Sequence, residues 1–231
     1  MLNGLDYKSV EVKNSSVILP YEITEEFSIE QLGEIDRKPC YNFFKRFFDI
    51  VASSIALIIL FVPMLALAIA IKCVSKGSVF YFQDRLGLNG RTIRIVKFRT
   101  MYQDAEQNGA QWSIGDDDPR IFPLGRILRK SRADELPQLW CILKGEMSLV
   151  GPRPEREVYY NEFEKYIHGF HERLKVKPGL TGLAQVEGGY HLAPHKKVLY
   201  DVEYIKNRSM WLDIKIILKT AVLVFDYDGA K

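Results

Sequence analysis

Cysteine is scarce in this sequence, and its placement excludes the sites that cysteines usually build. Cys40, Cys73 and Cys141 are the three cysteines, and they form no CxxC or Cys/His ligand pattern. An odd and scattered set predicts neither a disulfide framework nor a zinc site, and it is typical of a reducing compartment. The four histidines form no zincin-like motif, so a zinc enzyme is not indicated either.

A secretory signal is also missing, since the N-terminus lacks a cationic start, an apolar centre and a small-residue cleavage site. Residues 1–40 carry eight acidic and four basic side chains, and we interpret them as a weakly structured acidic extension with a short helix near residues 24–32. The remaining residues carry 28 basic against 21 acidic side chains, a net charge of +7, which favours phosphates or anionic lipids. Without zinc-finger spacing or an RNP-like run, no nucleic-acid partner is predicted.

What the sequence does contain is a long apolar run. Residues 50–71 are twenty-two consecutive residues without a charge, and as one helix they would extend about 33 Å, enough to cross a hydrocarbon core of about 30 Å. Pro63 lies inside the run and removes a helix hydrogen bond, so two shorter helical arms are predicted. Basic residues flank both ends and give no orientation. A helix-break-helix hairpin over residues 41–76, entering and leaving on one face, and a kinked spanning helix both fit.

Residues 77–231 predict one small domain of the α/β class, in an α+β arrangement that is mostly helical. Residues 78–83 and 92–98 are rich in β-branched and aromatic side chains and flank an Asn89-Gly90 turn, which predicts a β-hairpin. The pattern then predicts a basic helix around Ile127, a helix from Asp134 to Leu143, a helix over residues 161–175, a loop over residues 176–189 and an amphipathic helix over residues 211–225. The last helix fits either the membrane interface or a core-facing position.

A carboxylate pair, Asp134 and Glu135, lies in the basic segment over residues 129–138. Adjacent helical residues point about 100° apart, so the two carboxylates cannot easily share one proton and separate roles are indicated. One carboxylate can attack a phosphorus atom while the other holds a divalent cation such as Mg²⁺, and the nearby basic side chains can hold phosphate oxygens. The alternative is that the pair only stabilises a helix N-terminus.

Seven motifs in a fixed order resemble the bacterial sugar transferase family, the monotopic phosphoglycosyl transferases. The resemblance covers about residues 41–228. The motifs are Lys45-Arg-Phe-Phe-Asp49, the apolar run broken by Pro63, Lys97-Phe-Arg-Thr-Met101, Asp118-Pro-Arg120, Asp134-Glu-Leu-Pro-Gln138, Lys144-Gly-Glu-Met-Ser-Leu-Val-Gly-Pro-Arg-Pro154 and Lys177-Pro-Gly-Leu-Thr-Gly182.

The resemblance implies an enzyme and a mechanism. Asp134 would attack the β-phosphate of a UDP-sugar, UMP would leave, and the phosphosugar would pass from the enzyme to polyprenyl (undecaprenyl) phosphate. Glu135 would be the Mg²⁺ ligand. The resemblance further implies a re-entrant membrane helix bent at its proline, and a catalytic domain on the cytoplasmic leaflet of the bacterial inner membrane that starts exopolysaccharide or capsule assembly. It leaves a homodimer open and does not identify the sugar.

Motif matching also carries over a set of substrate-binding residues: Arg129, Arg153, Lys97, Arg99 and Lys177. The sequence departs from the family pattern at Gly189, where an arginine is usual, and Lys196 or Lys197 would have to replace its charge. The alternative function is a catalytically idle membrane adaptor that scaffolds glycan-assembly enzymes. The intact carboxylate pair favours the enzyme.

Overall fold

Helices dominate the fold, and its strands pair two by two. The structure is a computed structural model that describes residues 26–29, 31–105, 118–188 and 192–225. In chain order the elements are β1 (Phe27–Ser28), α1 (Pro39–Val74), β2 (Phe80–Leu86), β3 (Thr92–Phe98), α2 (Pro123–Lys130), α3 (Leu139–Lys144), β4 (Ser148–Val150), α4 (Glu157–Glu164), β5 (Ile167–His168), β6 (Gly179–Thr181), α5 (Leu183–Glu187), α6 (Pro194–Asn207) and α7 (Met210–Phe225). Short 3₁₀-helices lie at Leu88–Gly90, Ala133–Gln138 and Phe170–Lys175.

The predicted β-hairpin is confirmed. Strands β2 and β3 pair in antiparallel register, with Phe80 opposite Phe98 and Leu86 opposite Thr92. In the loop between the strands, Asn89 (φ 55°) and Gly90 (φ 75°) have a left-handed backbone, which asparagine and glycine adopt most readily. Strand β3 has the predicted bounds, whereas β2 begins two residues later than predicted. The other pairs, β4 with β6 and β1 with β5, are parallel.

The apolar run forms α1, a single helix of 36 residues that continues through Pro63. The prediction of an interrupted helix was therefore wrong at the level of secondary structure. A proline removes only its own N–H from the helix ladder, and the leucines, alanines and isoleucines around it favour helix on both sides. Within the described residues, α1 is the one helix long and apolar enough to cross a membrane by length and composition.

The N-terminal half of α1 is fixed to the domain by polar contacts. Arg46 donates from Nη1 to the Ile142 carbonyl (2.6 Å) and from Nη2 to the Leu143 carbonyl (2.6 Å). These carbonyls belong to the last turn of α3, where a cation is favoured by the helix dipole. One turn further along α1, Asp49 accepts a hydrogen bond from the Leu149 N–H (2.9 Å).

The C-terminal end of α1 is fixed to the same domain. Arg99, the residue after β3, donates to the carbonyls of Lys76 (2.6 Å) and Ser75 (2.9 Å) directly after the helix. Ile71 is fully buried in a cluster with Phe98. The middle of α1 also contacts the domain, because Leu57 and Leu60 and then Met64 and Leu67 pack against its buried clusters. One side of α1 therefore follows the domain along the helix, and the opposite side is exposed.

The main core lies between α4, α6 and the third 3₁₀-helix. Its largest fully buried members are aromatic and aliphatic side chains from these elements: Tyr160, Phe163, Phe170, Tyr204 and Ile205. The rings of Tyr160 and Phe170 meet edge to face at 5.2 Å between centroids, a favourable geometry for aromatic pairs.

Several predicted elements are corrected by the structure. The helix predicted over residues 161–175 ends at Glu164 and β5 follows, after which Gly169 (φ 93°) turns the chain into a 3₁₀-helix. The loop predicted over residues 176–189 contains β6 and α5, which are too short for a periodicity to reveal. Of the helix predicted over residues 24–32, the described part contains strand β1. Residues 1–25 and Gly189 lie outside the described residues.

Candidate active site

The carboxylate pair lies in the 3₁₀-helix Ala133–Gln138, directly after α2. Arg132 has a left-handed backbone (φ 56°) that turns the chain from α2 into this helix. Pro137 has no N–H to donate, which helps to explain why the predicted α-helix from Asp134 begins only at Leu139. Arg132 is the N-cap and no side chain caps the helix, so the pair has no capping hydrogen bond. Both carboxylates are buried, with Asp134 7% and Glu135 9% exposed.

Glu135 is held by two cations that come from other elements. Lys97 on β3 donates from Nζ to Oε1 (2.7 Å). Arg153, three residues after β4, donates from Nη1 to Oε2 (3.1 Å) and from Nη2 to Oε1. Burial alone would raise the pKa of Glu135, but Arg153 and Lys97 hold it well below its usual range. The side chain is therefore ionised at any physiological pH.

Asp134 contrasts with its neighbour. Among the described residues, no side chain forms an ion pair or hydrogen bond with its carboxylate. Burial and the charge of Glu135 raise the pKa of Asp134 to about 6, against the opposing influence of Lys97, Arg129 and Arg153. Asp134 is thus a buried carboxylate that no described side chain pairs with directly, and it is still ionised at neutral pH.

The structure brings together three of the five predicted substrate-binding residues. Lys97 and Arg153 bind Glu135, and Arg129 in the last turn of α2 lies near enough to lower the pKa of Asp134. It does not bring Arg99 or Lys177 there. Arg99 holds the end of α1, and Lys177 lies beside Arg46 and Gly145.

Sequence reasoning missed the charged residues behind Arg153. Arg85 on β2 pairs with Glu155 (Nη1 to Oε2, 2.6 Å), and Arg173 pairs with Asp201 (Nε to Oδ2, 2.6 Å). These partners are 28 to 70 residues apart in the chain, and no local pattern connects them. Lys197, already predicted from the sequence as a possible replacement for the charge absent at Gly189, lies in the same group, since burial lowers its pKa while Glu155 opposes the shift.

The donor set for a metal ion is small. No group of three or more His, Cys, Asp or Glu side chains comes together in the described part of the chain. Glu135 Oε2 accepts one hydrogen bond and keeps a lone pair, and the Asp134 oxygens are open. Mg²⁺ often takes only one or two carboxylate ligands and completes its shell with water and substrate phosphates. These residues fit such an ion if the substrate supplies further oxygens.

Comparisons with known proteins define the class of this chain. The family described as bacterial sugar transferase matches residues 40–227, so the chain belongs to that family. The resemblance seen in the motifs is confirmed.

Three relatives are similar to this chain over most of its length. The chain is 43% identical over 204 residues to a UDP-N-acetylgalactosamine-undecaprenyl-phosphate N-acetylgalactosaminephosphotransferase of Aeromonas hydrophila, covering 87% of this chain and 48% of the relative. It is 37% identical over 239 residues to a UDP-glucose:undecaprenyl-phosphate glucose-1-phosphate transferase of Xanthomonas campestris pv. campestris, covering 97% and 49%. With the galactosyl transferase CpsE of Streptococcus agalactiae it shares 41% identity over 199 residues, covering 81% and 43%. The chain spans about half the length of these relatives.

Proposed function

We propose that the chain is a phosphoglycosyl transferase that moves a phosphosugar from a UDP-sugar to undecaprenyl phosphate and releases UMP. The observation that carries this proposal is the buried, unpaired Asp134 carboxylate beside a Glu135 that is held by Lys97 and Arg153. The names of the relatives support the substrate classes, since they describe transfer from UDP-sugars to undecaprenyl phosphate. They describe different sugars, so the sugar is a question for experiment.

In the first half of the reaction, the Asp134 carboxylate oxygen bonds to the β-phosphorus of the UDP-sugar. The bond from that phosphorus to the oxygen bridging the two phosphates breaks, and UMP leaves with the electron pair. A carboxylate approaches a diphosphate only if cations offset the repulsion, and Lys97, Arg129 and Arg153 supply them. The pKa of about 6 lets Asp134 be ionised at neutral pH and remain more basic than an ordinary aspartate.

In the second half, a phosphate oxygen of undecaprenyl phosphate bonds to the phosphorus of the aspartyl-phosphosugar. The bond to Asp134 breaks, which restores the carboxylate and leaves the sugar on a lipid diphosphate. A bound Mg²⁺ would neutralise phosphate charge, and we propose that Glu135 Oε2 would hold it. The arginines and Lys97 then orient the phosphates against Asp134.

We also propose that α1 is re-entrant, with both ends on the cytoplasmic face and its bend at Pro63. Two observations support this path. Arg46 near one end and Ser75 after the other end are held by the same domain. A spanning helix would separate its ends by about 30 Å of hydrocarbon. The exposed side of α1 is apolar, with Ile58 77% and Val62 70% exposed, which suits contact with lipid acyl chains.

Helix α7 is proposed to lie in the membrane interface beside α1. Trp211, Leu218 and Val222 recur at helical spacing and are 76%, 62% and 65% exposed. Lys215 and Lys219 line the same open surface; Lys219 pairs with Glu187, and Lys215 suits anionic headgroups. The facing side of α7, at Ile216 and Asp213, is buried. The helix therefore has one core face and one apolar exposed face. The sequence left a membrane position and a core position open, and each of the two faces suits one of them.

The activity is tested with membranes that contain the protein, Mg²⁺, undecaprenyl phosphate and a panel of UDP-sugars. UMP release with at least one sugar is expected. Asp134→Asn should abolish both UMP release and a trapped phosphosugar-protein adduct. Asp84→Asn is the matched control, because Asp84 is an exposed carboxylate on β2. No UMP with any sugar would contradict the enzyme and leave the adaptor, although an adaptor has no use for a buried, unpaired charge.

The path of α1 is tested with the native cysteines. Cys40 and Cys73 are exposed near the two ends of α1, whereas Cys141 is buried. In Cys40→Ser and Cys73→Ser variants, a membrane-impermeant maleimide should label the remaining exposed cysteine only from the cytoplasmic side of inverted vesicles. Labelling of Cys40 and Cys73 from opposite sides would establish a spanning helix instead.

A further inference from the structure

The backbone that carries Arg153 is fixed at three consecutive carbonyls. The carbonyls of residues 153, 154 and 155 accept hydrogen bonds, in that order, from Arg173 Nη2 (2.9 Å), Arg85 Nη1 (3.1 Å) and the Leu86 N–H (3.0 Å). The donors come from the third 3₁₀-helix and from β2. A segment with no regular structure of its own is thus held from outside, at the place where its side chain reaches Glu135.

Arg173 is the most buried of these donors. It is 3% exposed, and its Nε binds Asp201 on α6, which is 1% exposed, at 2.6 Å. Its Cζ lies 4.8 Å from the Phe170 ring centroid and 5.7 Å from that of Tyr160. Removing a charge from water is costly unless its partners are well placed. Here one nitrogen of the guanidinium binds the carboxylate of Asp201 and another binds the carbonyl of Arg153.

We propose that Arg173, oriented by Asp201, is a positioning residue that sets the place of Arg153 in the site, an inference that rests on the function proposed above. Arg173 is too buried to touch a substrate, so it acts through the Arg153 backbone. The Arg153 guanidinium makes two hydrogen bonds with Glu135, and that geometry depends on where its Cα lies. A displacement of about 1 Å in such a group can cost orders of magnitude in rate.

The variant Arg173→Lys tests the proposal. Lysine keeps the charge opposite Asp201, but a single ammonium cannot reproduce the two-sided fork of arginine. We expect KM for the UDP-sugar to rise about tenfold with a smaller change in kcat. Arg208→Lys is the matched control. Arg208 is 6% exposed and donates to the carbonyls of Ile205 and Asp36, away from the carboxylate pair. It should lower the thermal unfolding temperature to a similar degree and leave KM unchanged.

A double-variant cycle shows whether Arg173 acts through Arg153. In an Arg153→Lys background, Arg173→Lys should add little to KM, because the group it positions has already been changed. Fully additive effects, or a KM in Arg173→Lys equal to that of Arg208→Lys, would overturn the proposal. If Arg173→Lys does not fold, Asp201→Asn is measured in the same cycle, since asparagine keeps the shape and weakens the orientation.

The two proposals fail in distinguishable ways. An unmodified protein that releases no UMP with any sugar contradicts the proposed function. The positioning role is then measured as UDP affinity by calorimetry, with the same four variants and without turnover. The positioning role is supported if Arg173→Lys binds UDP more weakly than the unmodified protein while Arg208→Lys binds it equally well. It is contradicted if Arg173→Lys and Arg208→Lys bind UDP with the same affinity.

Discussion

Two buried carboxylate clusters in this molecule differ in how completely their charges are paired. The anchor cluster, made of Tyr41, Lys45, Tyr204 and Asp213, joins α1 to α6 and α7. Asp213 Oδ2 accepts hydrogen bonds from Tyr41 (2.9 Å) and Lys45 (2.7 Å), and Oδ1 accepts one from Tyr204 (2.8 Å). Both oxygens of this carboxylate have partners within the protein.

The carboxylate pair is organised differently. Glu135 is as well satisfied as Asp213, but Asp134 beside it is not, and burial raises its pKa to about 6. The anchor cluster offsets the desolvation of its charge with its own hydrogen bonds. At the carboxylate pair that cost remains in the folded protein until a ligand arrives. The difference is the one expected between a cluster that holds elements together and one that is proposed to react with a substrate.

The largest expected effect comes from removing the unpaired charge. Asp134→Asn should lower turnover by at least about a thousandfold, because the amide is a poor nucleophile. At neutral pH it should leave the free energy of unfolding unchanged or higher, since no partner is lost and a costly buried charge is gone. UMP release and thermal unfolding in detergent measure the two quantities. Normal turnover in the Asp134→Asn variant would contradict the proposed role of Asp134, and with it the distinction between the two clusters.

Activity should fall as the pH drops through about 6, by about tenfold for each pH unit, because the proposed attack requires an ionised Asp134. Stability should respond in the opposite direction. The unfolded aspartate has a pKa of about 3.9, so between about pH 4 and 6 the unfolded state loses its proton first and the fold loses stability as pH rises. Asp134→Asn should lack this contribution. Unfolding temperatures of both proteins across that range measure the difference, and identical profiles would contradict the raised pKa.

Glu135→Gln should change both the stability of the protein and the pH dependence of its activity. It leaves Lys97 and Arg153 without their shared carboxylate, so we expect a loss of about 3 kcal/mol in the free energy of unfolding. Burial and the charge of Glu135 together raise the pKa of Asp134, so removing that charge should shift the acid limb of the activity profile to lower pH. The limb would stay in place if Glu135 had no electrostatic influence on Asp134.

The smallest effect on activity is expected at the anchor cluster. Asp213→Asn should lower the free energy of unfolding by about 2 kcal/mol, because Lys45 and two tyrosines lose a charged acceptor. KM for the UDP-sugar should not change, since the cluster lies on the α1 side of the domain. Denaturant unfolding and steady-state kinetics measure the contrast with Asp134→Asn. A changed KM together with unchanged stability would reverse the roles assigned to the two clusters.

Local features of the sequence were sufficient for the hairpin and for the pair itself. The hairpin depends on a strand pattern and an Asn89-Gly90 turn that lie within a few residues of each other. Asp134 and Glu135 are adjacent in the chain. The fold of residues 161–189 was not predictable in the same way, because its elements are two to eight residues long and depend on tertiary contacts. The position of helix α1 was predicted from the sequence, but its continuation through Pro63 was not.

Site residues that depend on long-range contacts were harder to predict. Motif matching identified Arg153 and Lys97, which meet at Glu135, but it also selected Arg99, whose guanidinium binds the carbonyls after α1. A motif identifies which residue is present, but it does not show which atoms its side chain contacts. Arg173 and Asp201 have no motif that joins them, and only the folded chain places them behind Arg153.

Helix α3 connects the two regions directly. It begins immediately after the 3₁₀-helix of the carboxylate pair and ends at the carbonyls that Arg46 of α1 holds. A helix of six residues is about 9 Å long. One short helix therefore connects Asp134, the proposed nucleophile, to α1, the helix proposed to enter the membrane. In the proposed function the phosphate of the lipid carrier stays in the headgroup layer, and α3 would present Asp134 to it at one fixed depth.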